Sequence, residues 1–286
     1  MPLKHSVFTV MMPDYDLKQT VVLLRELGFD GVEWRVHHVP SEFPGAADYW
    51  RSNKSTVDVE TILDKAVEVR KLTDDQGLEI VALGTYLSYK MIDEIERCME
   101  AANIMGAGSV RVGVPKYDGS ENYNDLLEEA IDGFVRIEDI ARKYNVRANV
   151  EIHPGNICCS ASLAYRLVSG FDPDCIGVIA DPGNMVSEGY ENYQLGLELL
   201  GPYLSHLHVK NAAWVSEDAP NGEKLWKTAR VSLKEGCVPW ATVIQALDRV
   251  GFTGWLSLED FSPGDTRAKL QDAIAYLKSI ETELRI

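Results

Sequence analysis

Apolar residues along this chain follow two alternating rhythms. Short β-branched and aromatic runs occur at 6–10 ("SVFTV"), 31–36 ("GVEWRV"), 79–86 ("EIVALGTY"), 109–114 ("SVRVGV"), 147–153 ("RANVEIH"), 176–181 ("IGVIAD"), 204–210 ("LSHLHVK") and 254–260 ("GWLSLED"). Such runs, bounded by turn residues, predict strands. Between them apolar residues recur every three or four positions, which predicts helices. "LKQTVVLLRELG" closes on Gly28, "VETILDKAVEVRKLTDDQG" on Gly77, and "MIDEIERCMEAANIMGAG" contains the stop Gly106. Further helical patterns cover roughly 121–144, 160–169, 190–200, 239–250 and 265–283.

Eight strands in strict alternation with eight helices imply a parallel sheet covered by helices. Eight units in 286 residues fit a single α/β domain over 1–286, a closed (β/α)8 TIM barrel. The competing arrangement is a doubly wound open sheet. The first strand lacks the GxGxxG turn of its dinucleotide-binding version. No low-complexity stretch or Pro/Gly/Ser linker divides the chain. The longest loop is expected at 211–238, after the seventh strand, where it can form part of a lid.

Composition narrows the function. The chain is 45% hydrophobic and 25% charged, as in a soluble globular protein. No apolar run is long enough to span a bilayer, and "MPLKHSVFTV" is not a signal peptide. Five cysteines without a CxxC pair point to a reduced, cytoplasmic chain with no zinc knuckle. Against 28 Lys and Arg stand 44 Asp and Glu, a net charge of −16, which disfavours nucleic acid. It leaves room for a local basic pocket and a small phosphorylated substrate.

A barrel of this type carries its chemistry at the C-terminal ends of its strands. Here the late strands each end in polar residues. Glu151 and His153 close the fifth, Asp181 the sixth, and Glu259 and Asp260 the eighth. The seventh carries His206, His208 and Lys210 at alternate positions, which share one face of a strand. Each residue alone reads as a helix cap, ion-pair partner or core histidine. Together, two glutamates, an aspartate and a histidine form a mixed oxygen and nitrogen set for one divalent ion. Mn²⁺ is the first choice, with Mg²⁺, Co²⁺ or Zn²⁺ as alternatives. Clustered buried carboxylates are costly without such a cation.

The motifs "VEIHPG", "ADPGN", "HLHVKN" and "GWLSLEDF", in that order, resemble those of the xylose-isomerase-like barrel superfamily. "LGFDGVEWR" and the approach "GCVPWATVIQALDRVGFTG" extend the likeness over nearly the whole chain. That superfamily includes ketose 3-epimerases, hydroxypyruvate isomerase and inosose dehydratase, and endonuclease IV shares its fold. The resemblance implies Glu151, Asp181, His208 and Glu259 as metal ligands, with His208 preferred to His206 as the second position of the HxH pattern. It also implies Glu151 and Glu259 as an acid/base pair on opposite faces of the substrate. Two positions depart from it. Asn184 stands where many epimerases have histidine, and Asn211 where the "HVKD" motif has aspartate, which argues against a simple ketose 3-epimerase.

The expected activity is a metal-dependent isomerisation or epimerisation of a sugar or cyclitol, by proton abstraction next to a carbonyl. The alternative is a lyase or dehydratase acting on a 3-keto sugar, keto-glycoside or inosose. An endonuclease IV-like phosphodiesterase and a non-catalytic subunit rank lower. His153 is a second candidate base or a rim residue. Lys210 binds a substrate oxygen or leaving group, or pairs with Asp181 or Glu259. Glu33, Trp34, Arg35, Tyr86, Arg111, Asn184 and Arg230 are candidate substrate contacts. Trp214 and Trp226 either close over the substrate with Arg230 or cover the rim. Barrels of this kind often associate with copies of themselves.

Overall fold

The computed structural model describes residues 3–285. Eight parallel strands close into a ring in the order β1 (Lys4–Phe8), β2 (Gly31–His37), β4 (Glu79–Thr85), β5 (Ser109–Arg111), β6 (Arg147–Glu151), β7 (Ile176–Ala180), β8 (Leu204–Val209) and β11 (Trp255–Leu258). The pairing of β1 with both β2 and β11 closes the barrel. The short β3 (Thr56–Asp58) lies parallel to the end of β2.

The helices form the outer layer: α1 (Leu17–Leu27), α2 (Ile62–Asp74), α3 (Ile92–Met105), α4 (Tyr123–Tyr144), α5 (Ala161–Val168), α6 (Pro182–Ser187), α7 (Tyr193–Leu200), α8 (Trp240–Arg249) and α9 (Thr266–Leu284). Their ends follow local chemistry. Asp16 and Gln19 make a reciprocal capping box at α1, and Gly28 closes that helix in the left-handed conformation, φ 79°. The described helices include none long and apolar enough to cross a membrane.

Two expectations change. The segment 211–238 is not one long loop. Most of it is an antiparallel hairpin, β9 (Asn211–Asp218) with β10 (Lys224–Val231). Its strands are half or more exposed, so no continuous apolar run announced them. The six-residue α6 is also additional. Pro182 at its first position and the Asp181 side chain as its cap make it a helix too short for periodicity to reveal.

Inside the ring the core is not wholly apolar. Glu33, His206, His208 and Ser257 point into the barrel and are buried. Gly84 provides the space: a Cβ there would meet the Phe8 ring at 2.3 Å. Phe8 in turn stacks on His208, with ring centroids 5.4 Å apart.

Candidate metal centre and active site

The C-terminal ends of β6, β7, β8 and β11 bring Glu151, Asp181, His208 and Glu259 together. One ligand atom from each lies within 4.8 Å of all the others, and all four residues are buried. His208 Nδ1 faces this group, 3.1 Å from Glu151 Oε1, 3.7 Å from Asp181 Oδ2 and 3.8 Å from Glu259 Oε2. Asp181 divides its carboxylate between two tasks. Oδ1 accepts the Asn184 amide at 2.9 Å and caps α6, while Oδ2 faces the cluster.

Each carboxylate has its own compensation. Arg111 Nη1 donates to Glu151 Oε2 at 2.6 Å. Asn184 Nδ2 reaches Asp181 Oδ2 at 2.8 Å, Glu151 Oε1 at 3.2 Å and the Ile152 carbonyl at 3.0 Å. Lys210 Nζ lies 2.8 Å from Asp181 Oδ2 and donates to Glu259 Oε2. Gly183 allows that lysine to come so near α6, because a Cβ there would meet Lys210 Cγ at 2.5 Å.

The electrostatics follow from these contacts. Burial opposes ionisation of Glu151, but Arg111 and His208 more than offset it and hold its carboxyl well below the usual range. Asp181 goes the other way: burial, with Glu151 and Glu259 nearby, pushes it up to about 6 despite Lys210. Burial disfavours a charged His208, yet Glu33 and Glu151 overcome this and raise it well above the ordinary imidazole value. Lys210 is raised likewise, since Asp181 and Glu259 outweigh its burial.

The donor set fits a divalent ion. Three carboxylates and one imidazole converge without a thiolate, a mixture that suits Mn²⁺, Mg²⁺, Co²⁺ or Zn²⁺. Glu33 takes up the other imidazole nitrogen of His208, the supporting contact that metal-bound histidines usually have.

Above the cluster opens a cavity of about 400 Å³. Glu151, Lys210, Glu259, Asn184 and Arg111 line its base; Tyr86, His153 and Arg230 line its walls. Arg230 reaches the cavity from β10, with its guanidinium 4.8 Å from the Phe261 ring and 5.9 Å from Trp50. Thr228 and Ser187 hydroxyls, 3.0 Å apart, tie the hairpin to α6.

Other candidates lie elsewhere. Glu33 is completely buried among His206, His208 and Ser257, so it supports the site from below rather than touching the cavity. Trp34 is fully buried in the core, since alternation turns it away from Glu33's face. Arg35 donates to the Trp50 carbonyl at 3.0 Å and to Thr56 Oγ1, holding the loop after β2. Trp214 and Trp226 are 46% and 62% exposed and do not line the cavity. Asn211 does border the cavity, but its buried side chain donates to the Leu233 and Val238 carbonyls and organises the chain beyond the hairpin. Trp50 and Phe261 were missed. They come from irregular segments, and only their aromatic character marked them.

A family model described as the xylose isomerase-like TIM barrel matches residues 21–280, and the chain belongs to that family. Among curated relatives, it is similar to inosose dehydratase from Bacillus licheniformis, 25% identical over 175 residues, which cover 59% of this chain and 56% of the dehydratase. The chain thus spans little more than half the length of that relative. It is also similar to inosose isomerase from Bacillus subtilis, 24% identical over 198 residues, which cover 68% of this chain and 69% of the isomerase. In fold it is similar to the 3-keto-D-glucoside 4-epimerase YcjR from E. coli, with a TM-score of 0.73 at 14% identity, covering 97% of this chain and all of that one.

Proposed function

We propose that this protein is a divalent-metal-dependent isomerase or epimerase of a keto sugar or cyclitol, working by proton abstraction next to the carbonyl. One observation carries the reading. Glu151 and Glu259 line the same cavity from strands with β7 and β8 between them, and each is backed by its own cation. A substrate in the cavity therefore meets carboxylates from two directions.

Glu151, Asp181, His208 and Glu259 would hold the ion, Mn²⁺ in our assignment. When bound, it supplies Lewis-acid polarisation of the carbonyl and charge for the developing enolate. Glu151, kept ionised by Arg111, takes the proton adjacent to the carbonyl. Glu259 carries a proton taken from solvent to the other face, held in position by Lys210, its hydrogen-bond donor. Asn184 fixes the carboxylates in place with an amide that carries no proton to transfer. Arg230, Trp50 and Phe261 cover the cavity mouth and limit entry of water. His153 Nδ1 lies 2.7 Å from the Pro154 carbonyl, which leaves it a rim contact for the substrate.

The second reading is elimination. Lys210 lines the cavity with its side chain 13% exposed, placed to donate a proton to a leaving hydroxyl or alkoxide. The likeness to an inosose dehydratase supports it as well. Incubation with inosose and 3-keto sugars in D2O tests both. Deuterium gained without other change in mass means isomerisation or epimerisation; loss of water means elimination. Absence of both contradicts the proposal. The five cysteines are free thiols, four of them buried, which supports assignment to a reducing, cytoplasmic compartment.

A further inference from the structure

A second cavity, of about 290 Å³, adjoins the first across Tyr86, Arg111, Glu151, His153 and Pro154. It runs outward between the loop after β5 (112–116) and the loop after β6 (153–157). Backbone hydrogen bonds hold those loops together. Ile157 N donates to the Pro115 carbonyl at 3.2 Å, and Tyr117 N donates to the Gly155 carbonyl at 2.9 Å. The lobe is therefore formed before any ligand arrives. The proton transfers above make no use of it.

We infer that this lobe is a subsite for an uncharged, apolar or aromatic aglycone, so that the preferred substrate is a keto-glycoside rather than a free keto sugar. The inference rests on the proton-abstraction reading. A sugar ring placed over Glu151 and Glu259 fills the first cavity, and a substituent on it leaves past Tyr86 and His153. Beyond them it meets Val114 and Pro154 with the Tyr86 ring, and the polar Lys116 and Asn156 stand on the opposite margin of the lobe. Burial of apolar surface there favours a hydrophobic group.

A phosphate is the poorer occupant. Lys116 is the lobe's one cation besides Arg111, which is already engaged by Glu151, and it is exposed at the lip. Two of the nearby amides are used internally: Gly113 N donates to the Leu87 carbonyl at 2.8 Å and Gly155 N to Glu188 Oε2 at 2.7 Å. A chain of net charge −16 gives a dianion no further help.

The test compares 3-keto-glucose, its methyl β-glycoside and its phenyl β-glycoside for solvent-deuterium exchange by the metal-loaded protein. Calorimetric affinity for the unoxidised methyl and phenyl glucosides is measured alongside, with and without metal. We expect the phenyl compounds to be favoured about tenfold or more over the methyl ones in both assays. Val114→Trp, or the milder Val114→Phe if the first does not fold, fills the lobe and should erase that preference. Equal values for methyl and phenyl compounds overturn the inference. So does a preference that survives in both folded variants, or a stronger preference for a sugar phosphate. Exchange on the free keto sugar without phenyl preference sinks the subsite alone. Phenyl glucoside binding that depends on Val114, with no exchange on any sugar, sinks the proton-abstraction reading alone.

Discussion

His208 Nε2 lies 3.2 Å from both carboxylate oxygens of Glu33, and this contact turns Nδ1 toward Glu151, Asp181 and Glu259. Glu33 thus sets which nitrogen is offered to a metal. Its carboxyl pays the cost of burial but is held well below the ordinary range by His208 and His206. Glu33→Gln should weaken metal binding by about 10–100-fold, the usual effect of losing a supporting carboxylate. Titration with Mn²⁺ or Co²⁺ measures it. Unchanged affinity would leave Glu33 a packing residue.

The same geometry makes metal binding a proton exchange. Burial disfavours a charged His208, but Glu33 and Glu151 outweigh it and favour the imidazolium of the metal-free ring. A ligating Nδ1 must give that proton up. Apparent metal affinity should therefore rise with pH, approaching one decade per unit while His208 is the titrating group. Calorimetry in buffers of different ionisation enthalpy should show about one proton released per ion. Below about pH 6 Asp181 protonates as well, and the affinity should fall more steeply.

Arg111→Met removes the cation that holds Glu151 ionised. The sign follows from the depressed carboxyl: its stabilisation is present above the unfolded pKa and is lost as pH falls through the folded one. Without Arg111 the carboxyl rises, so the acidic limb of kcat/KM should move up by about 1–3 pH units. Stability should drop, but by less than the ~3–5 kcal/mol of a buried charge left with no partner, because His208 and Asn184 still contact Glu151. A pH–rate profile and thermal melting give the two readouts.

Gly183→Ala tests the placement of Lys210. The added Cβ would meet Lys210 Cγ at 2.5 Å and its carbonyl oxygen at 2.9 Å, so the strand end must shift. We expect turnover to fall by about 100-fold, as misplacement of about 1 Å can cause, in a protein that still folds cooperatively. Turnover within a factor of two of wild type would show that Lys210 needs no such fit.

The barrel was legible because buried parallel strands and amphipathic helices leave opposite periodicities, as "SVFTV" and "LKQTVVLLREL" do. The convergence of Glu151, Asp181, His208 and Glu259 was legible because the fold collects strand ends at one mouth. Strand parity could have gone further: Glu33 and Trp34 are neighbours on β2, so only one of them can face the barrel interior. The hairpin at 211–231 was not legible, because both of its faces are largely open to solvent and carry no apolar alternation. Trp50 and Phe261 reach the cavity from irregular chain, where tertiary contacts alone place them.

The most direct measurement is metal content by elemental analysis of wild-type protein beside Glu151→Gln and His208→Ala. The account predicts one tightly held divalent ion per wild-type chain, and its loss from both folded variants. A wild-type protein that holds no ion after incubation with Mn²⁺, Co²⁺ or Zn²⁺ would contradict it.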